Sequence, residues 1–150
     1  MTADYKQIRL AAMNFLARRE HSSHELRQKL QQRFDDRLLI EQIISELQQE
    51  NLQSDARFVE SFVNSRFSQG FGAIKINYEL SNKGIDSCLA AEYLKQISAL
   101  QWQERAALQR QKKFGQQLPE DTKSYQKQSR YLYQRGFDPV LINQVLKVEK

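Results

Sequence analysis

His21, His24 and Glu25 stand close enough in sequence to ligate a metal ion across one helical turn, since imidazole nitrogens and carboxylates are ordinary zinc donors. Such a site needs further ligands, and the chain holds two histidines and one cysteine, with no second His pair. Capping or surface roles at the start of a helix are the competing use, and neither a metal nor any other cofactor is expected. Cys88 could form a nucleophile pair with either histidine, but no third group orients such a base. It falls in an apolar helical run and reads as core. Gly70-Phe71-Gly72 lacks the preceding strand, the further glycine and the Lys-Ser/Thr of a phosphate loop, so it reads as a turn between helices. Asp35 and Asp36 are adjacent carboxylates without a cleft to share, and the second precedes a helix as its cap. No catalytic residue emerges, and the chain is expected not to be an enzyme.

Cationic side chains offer a different chemistry, the recognition of an acidic surface. The net charge is +5, and its distribution is uneven: residues 1–103 carry 13 Lys/Arg against 13 Asp/Glu, while residues 104–150 carry 10 against 5. The whole excess therefore lies in the last third, which points to an acidic partner or a nucleic-acid backbone there. Between positions 105 and 135, Arg105, Arg110, Lys112, Lys113, Lys123, Lys127, Arg130 and Arg135 meet only Glu120 and Asp121. Tyr125, Tyr131 and Tyr133 are interleaved. Bases supply charge and rings supply stacking in a phosphate-tracking surface, although one or two of these tyrosines must fill the core. Lys112, Lys113, Lys123, Lys127 and Arg130 are the candidate contacts of this stretch. In the electrically balanced remainder, Arg18, Arg19, Arg57, Arg66, Lys75 and Lys83 recur at the ends of units and are candidates too. Structural ion pairs and caps are their competing use.

The elements that must position these residues are helices. Two prolines and five glycines punctuate a sequence rich in good helix formers, and every apolar run has three-and-four spacing. A first helix is expected over about Asp4 to Glu20, with Ile8, Phe15 and Leu16 on its buried face. Ser22 with Glu25 matches a capping box that opens a second helix carrying Leu26, Leu30 and Phe34 inward. A third runs from about Arg37 to Glu50 and stops at Asn51; a fourth, capped by Ser54 or Asp55, is built on Phe58, Phe62, Val63 and Phe67. A break is placed near 98–101, and Gln116 to Asp121 is the clearest loop.

One phrase occurs three times: Leu30 to Asp36, Leu80 to Asp86 and Leu132 to Asp138, each running from leucine through a base to an aspartate six positions on. Apolar residues then follow at offsets three, four, seven and eight, as with Leu39, Ile40, Ile43 and Ile44 after Asp36. Repetition at about fifty residues means one supersecondary unit copied in tandem. The chain is therefore expected to be all-α, with three tandem three-helix repeats over 1–53, 54–100 and 101–150, about nine helices in an elongated or curved arrangement. Each aspartate should cap the helix that follows, with Gly84 and Gly136 ending the helix before. No apolar run approaches the roughly 20 residues of a membrane span. With one cysteine and no secretory cleavage pattern in MTADYKQIRLAAMNFLARRE, a cytoplasmic setting is expected.

Four stretches resemble the RecX family, bacterial modulators of the RecA recombinase. They are Ala17 to Ser22 with Glu25, Leu26 and Leu30; Leu52 to Asp55 with Arg57, Phe58 and Phe62 to Arg66; Gly72 with Ile76, Glu79, Leu80 and Lys83 to Ile85; and Gln134 to Phe137. Asn51, where glycine is common in the family, is a departure. The resemblance implies three three-helix repeats and a non-enzymatic regulator that binds the RecA filament on single-stranded DNA. It implies inhibition of the filament's ATPase, strand exchange and co-protease activities, around recombination and the SOS response. The partners expected are that filament and single-stranded or double-stranded DNA, with no membrane and a monomeric chain. The competing class is a sequence-indifferent DNA- or RNA-binding helical-repeat protein.

Overall fold

The computed structural model describes residues 2–147, and among these residues there are nine helices and no strand. They are α1 (Thr2–Arg18), α2 (Ser23–Gln31), α3 (Arg37–Gln49), α4 (Asp55–Ser68), α5 (Ala73–Asn82), α6 (Ser87–Leu94), α7 (Ala99–Phe114), α8 (Thr122–Gln134) and α9 (Pro139–Leu146). The first helix ends at Arg18, two residues before the expected Glu20, because the chain turns there to present Ser22 as the cap of α2.

Local chemistry places most of the boundaries. The Ser22 hydroxyl accepts the Glu25 amide at 3.1 Å while the Glu25 carboxylate accepts the Ser22 amide at 3.2 Å, so two otherwise orphaned donors are satisfied. Ser98 and Gln101 repeat that arrangement at the head of α7. Asp36, Asp86 and Asp138 each accept a backbone amide at the start of the next helix, from Leu39, Cys88 and Val140 respectively. Ser54 caps α4 by accepting the Arg57 amide at 3.2 Å. Asn51 adopts φ +60°, the left-handed conformation that glycine takes with less strain.

The chain divides into two compact units, Met1–Phe62 with Leu80–Leu89, and Val63–Glu79 with Ala90–Lys150. In the first, α1, α2 and α3 pack on one another around Ile8, Ala12, Leu26, Leu30, Ile40, Ile43 and Leu47, all 0–1 % exposed. Tyr5, Met13, Phe15, Leu16, Phe34 and Leu39 close the edges of this core. In the second, α7, α8 and α9 pack around Ala106, Leu132, Phe137, Ile142 and Leu146, with Trp102, Tyr125 and Tyr131 against them. Leu30, Leu80 and Leu132, the heads of the repeated phrase, are all fully buried.

Two departures come from burial. Cys88 is exposed, not core: it is the second residue of α6, where Asp86 accepts its amide, and Ala90 is the buried residue of that helix. His21 is buried at 1 % exposure, not a surface group, because its ring fills the corner between α1 and α2 and tilts against Phe15 at 5.9 Å.

Candidate partner-binding surface

The first unit gathers Arg18, Arg19, Arg57 and Lys83, and three of them hold a carboxylate. The Glu25 carboxylate that completes the capping box also receives both terminal nitrogens of Arg19, at 3.2 and 3.1 Å, and the Lys83 ammonium at 2.9 Å. Burial pushes this carboxyl's pKa up, but hydrogen bonds from Arg19, Lys83 and the Ser22 amide outweigh it and hold the group at about 2. Arg57 donates to Glu20 at 3.1 Å and to Asn51 at 2.9 Å. Arg18, in the last turn of α1, is exposed and has no carboxylate partner among the described residues.

His21 and Lys29 extend this corner. His21 Nδ1 lies 3.0 Å from the Arg19 carbonyl, which can only accept, so Nδ1 carries the proton and Nε2 is free to accept from Lys29 at 2.8 Å. Burial is the main cause that lowers the His21 pKa, which keeps the ring neutral. Lys29 belongs to no motif of the sequence. Its spacing of four from Glu25 marks it as a partner for that carboxylate, yet Arg19, Lys83 and Ser22 already occupy both oxygens.

The second unit holds the remaining candidates in two settings. Arg66 forms an ion pair with Glu79 at 3.2 Å, and Arg66 and Lys75 lie 5.5 and 5.4 Å from the Phe71 ring centre. Arg135 stacks on the same ring at 4.1 Å and donates to the Gln69 and Gly70 carbonyls at 2.6 and 3.2 Å. Backbone bonds from Gly72 to the Arg135 carbonyl and from Ile74 to the Gly136 carbonyl bring two helix turns into contact. A Cβ on Gly72 would sit 2.4 Å from the Gly136 carbonyl group, so only glycine fits there.

Lys112 and Lys113 lie in the last turn of α7, where they also complement the helix dipole, and both are exposed. Lys123, Lys127 and Arg130 follow on α8 at spacings of four and three, which places them on one exposed face. No carboxylate pairs with any of these five among the described residues. The nearby acids are engaged elsewhere: Asp121 accepts the Ser124 amide at 2.7 Å as the α8 cap, and Glu120 accepts from Gln117 at 2.6 Å. Arg130 and the exposed Tyr133 line a groove of about 670 Å³ with Tyr125 and Asn143, which hydrogen-bond to each other.

Arg110, counted with this surface on sequence grounds, does not belong to it. Its side chain is buried at 2 % exposure and donates to the Gly115, Gln116 and Gln117 carbonyls and to Gln128 at 2.9–3.2 Å. Three carbonyl dipoles and an amide stand in for a counter-ion, and the α7–α8 loop is pinned by them. A base five residues before a glycine in an otherwise soluble run was the only trace of this in the sequence. No helix among the described residues is long and apolar enough to cross a membrane, and no group of three or more His, Cys, Asp or Glu among them could hold a metal ion.

Comparison with known proteins supplies the remaining finding. Residues 9–47, 54–94 and 99–146 match the family models described as the first, second and third three-helix domains of RecX. The chain is 39 % identical over 139 residues to regulatory protein RecX of Pseudomonas entomophila (strain L48), covering 93 % of this chain and 89 % of that one. It is 40 % identical over 139 residues to the same-named protein of Pseudomonas putida (strain GB-1), with 93 % and 88 % covered. In three dimensions it is similar to the crystal structure of RecX from Lactobacillus salivarius, with a TM-score of 0.84 at 22 % identity over 97 % of this chain and 96 % of the other.

Proposed function

The chain belongs to the RecX family of regulatory proteins, and from that premise we propose that it docks on the RecA recombinase filament on single-stranded DNA and inhibits it. The inhibited activities are the ATPase, strand exchange and co-protease functions of the filament, so the protein moderates recombination and the SOS response in the cytoplasm. It acts as a monomer without catalysis. Three repeats, 1–53, 54–100 and 101–150, supply shape and register, and the third supplies most of the electrostatic attraction.

The observation that carries this reading is the contrast between cations already neutralised and cations left without an acid. Lys112, Lys113, Lys123, Lys127 and Arg130 are exposed with no carboxylate partner among the described residues, so their charge is available to an acidic protein surface or to DNA phosphates. Arg18, exposed, and Lys75, half-buried against the Phe71 ring but without a carboxylate partner among the described residues, extend this set within their own units, whereas Arg19, Arg57, Arg66 and Lys83 hold carboxylates and contribute mainly by positioning.

The alternative is a sequence-indifferent DNA- or RNA-binding protein, favoured by the groove in which Arg130 and Tyr133 could receive a phosphate and a base. Titrating the protein into RecA turning over ATP on single-stranded DNA, with a helicase-type ATPase on the same DNA as control, separates the two. Selective inhibition of RecA well below DNA saturation is expected. Equal loss in both enzymes would favour masking of DNA.

A further inference from the structure

A cleft of about 390 Å³ opens in the first unit beside the α1–α2 corner. Three cations, Arg19, Lys29 and Lys83, line it against one carboxylate, Glu25. That carboxylate is saturated: one oxygen accepts from Arg19 and the Ser22 amide, the other from Arg19 and Lys83. The lining therefore keeps an excess of two positive charges, because His21 beside it is neutral by its hydrogen-bonding pattern.

Lys29 is the centre of the imbalance. Among the described residues its ammonium touches neutral groups alone, His21 Nε2 at 2.8 Å and the Phe15 ring at 5.0 Å from its centre. Burial, with the nearby Arg19, Lys83 and Arg18 charges, lowers its pKa, whereas Glu25 raises it. A helix surface that needed only a stable corner would place an apolar or paired side chain here, since an unpaired ammonium costs free energy to desolvate. Two of the three ammonium protons on Lys29 and two on Lys83 have no acceptor among the described residues, and the amides of Gln28, Gln32 and Asn82 complete the rim.

From this arrangement we infer that the Arg19–Lys29–Lys83 cleft is a binding site for a phosphate group, separate from the cationic face of α8. Phosphate fits better than a carboxylate because donors from three separate segments, Arg19, Lys29 and Lys83, line one space, and a phosphate monoester presents three terminal acceptor oxygens to a carboxylate's two. The double negative charge of a phosphate monoester, or of two adjacent backbone phosphodiesters, would cancel the excess of the lining, and pyrophosphate, which is more negative still, serves as the probe.

Calorimetric titration of the full chain with pyrophosphate, and separately with a thymidine oligonucleotide carrying no terminal phosphate, tests the inference without RecA. Pyrophosphate should bind and raise the melting temperature. Lys29→Met, which keeps the stem against Phe15, should weaken that binding about tenfold or more, the worth of one charge-assisted hydrogen bond. Lys29→Arg should restore most of it. Gln32→Glu, an exposed change that adds a carboxylate at the rim, should weaken binding as well and covers the case in which Lys29→Met does not fold. Reversal of Lys112, Lys113 and Lys123 should leave pyrophosphate binding unchanged. Displacement of pyrophosphate by the oligonucleotide would assign the phosphate to a nucleic-acid backbone, and its absence to a small phosphate ester. Absence of pyrophosphate binding, or binding indifferent to both Lys29→Met and Gln32→Glu, overturns the inference.

Discussion

The corner between α1 and α2 and the stretch from the end of α7 through α8 are built from the same kinds of residue and use them in opposite ways. In the corner, Arg19 and Lys83 converge on Glu25, which is also half of a capping box, so charge there holds a helix start and the Lys83 end of the repeated phrase together. Along α8, Lys123, Lys127 and Arg130 face outward, and Asp121 and Glu120 nearby cap a helix and bond an amide. Where the third repeat does bury a cation, at Arg110, it surrounds the guanidinium with carbonyls and spends no carboxylate. The same cationic residue types thus serve two ends: in one region they are bound to carboxylates that hold elements together, and in the other they stand exposed without a carboxylate among the described residues.

The largest test of that division concerns the cores beneath both regions. Leu30→Ala and Leu132→Ala should each cost about 2–5 kcal/mol, measured by urea unfolding, because both side chains are fully buried in closely packed helices. Similar losses would show the two regions to rest on equivalent scaffolds, whereas a parent-like melt for either would break the alignment of the repeats. Next comes Arg110→Ala, expected to cost about 3 kcal/mol through four lost hydrogen bonds to loop carbonyls and Gln128. A neutral outcome would return Arg110 to the available surface.

Glu25→Gln should cost about 2 kcal/mol near neutral pH, since two cations and an amide lose an ionised acceptor. Its pH dependence has a definite sign. The folded-state pKa of Glu25, about 2, lies below that of an unfolded glutamate, so its contribution is present above the ordinary carboxylate range and is lost as pH falls toward 2. His21, lowered chiefly by burial, acts in the same direction: stability is present above its ordinary pKa and declines as acid protonates the unfolded chain preferentially. Urea midpoints from pH 8 to pH 3 should therefore fall in two steps, and the lower step should flatten in Glu25→Gln. A single unchanged step in that variant would mean that the corner's network does not stabilise the fold.

Helix caps should give smaller effects. Asp36→Ala and Asp138→Ala are each expected to cost about 1 kcal/mol, with inhibition of RecA retained at temperatures where the variants stay folded. The smallest stability effect, within about 0.5 kcal/mol, is expected for the combined reversal of Lys112, Lys113 and Lys123 to glutamate. That variant should nonetheless lose affinity for the filament strongly at low salt. If DNA phosphates form part of the bound surface, each lost contact should reduce the log–log salt slope by about 0.7 for a single strand. Unchanged affinity would make the α8 face merely solvated.

What was legible in the sequence was local. Three-and-four apolar spacing, the Ser22–Glu25 box and the three capping aspartates each depend on residues within one or two turns, and helix chemistry is decided at that range. The repeat then carried the fold class, because three copies of one local pattern leave few ways to bury their faces. Side-chain occupancy at long range was not legible. Lys83 reaches Glu25 from 58 positions away, which leaves Lys29, only four away, without its expected partner. Cys88 and Arg110 likewise followed apolar and polar patterns that burial reversed, since one helical position of angular offset decides whether a side chain faces core or solvent. The sequence by itself determined nine helices, their caps and a basic last third. Only the tertiary structure decided which charges were consumed in holding the chain together and which were left without a carboxylate among the described residues, because Coulomb attraction depends on distance in space and not on separation along the chain.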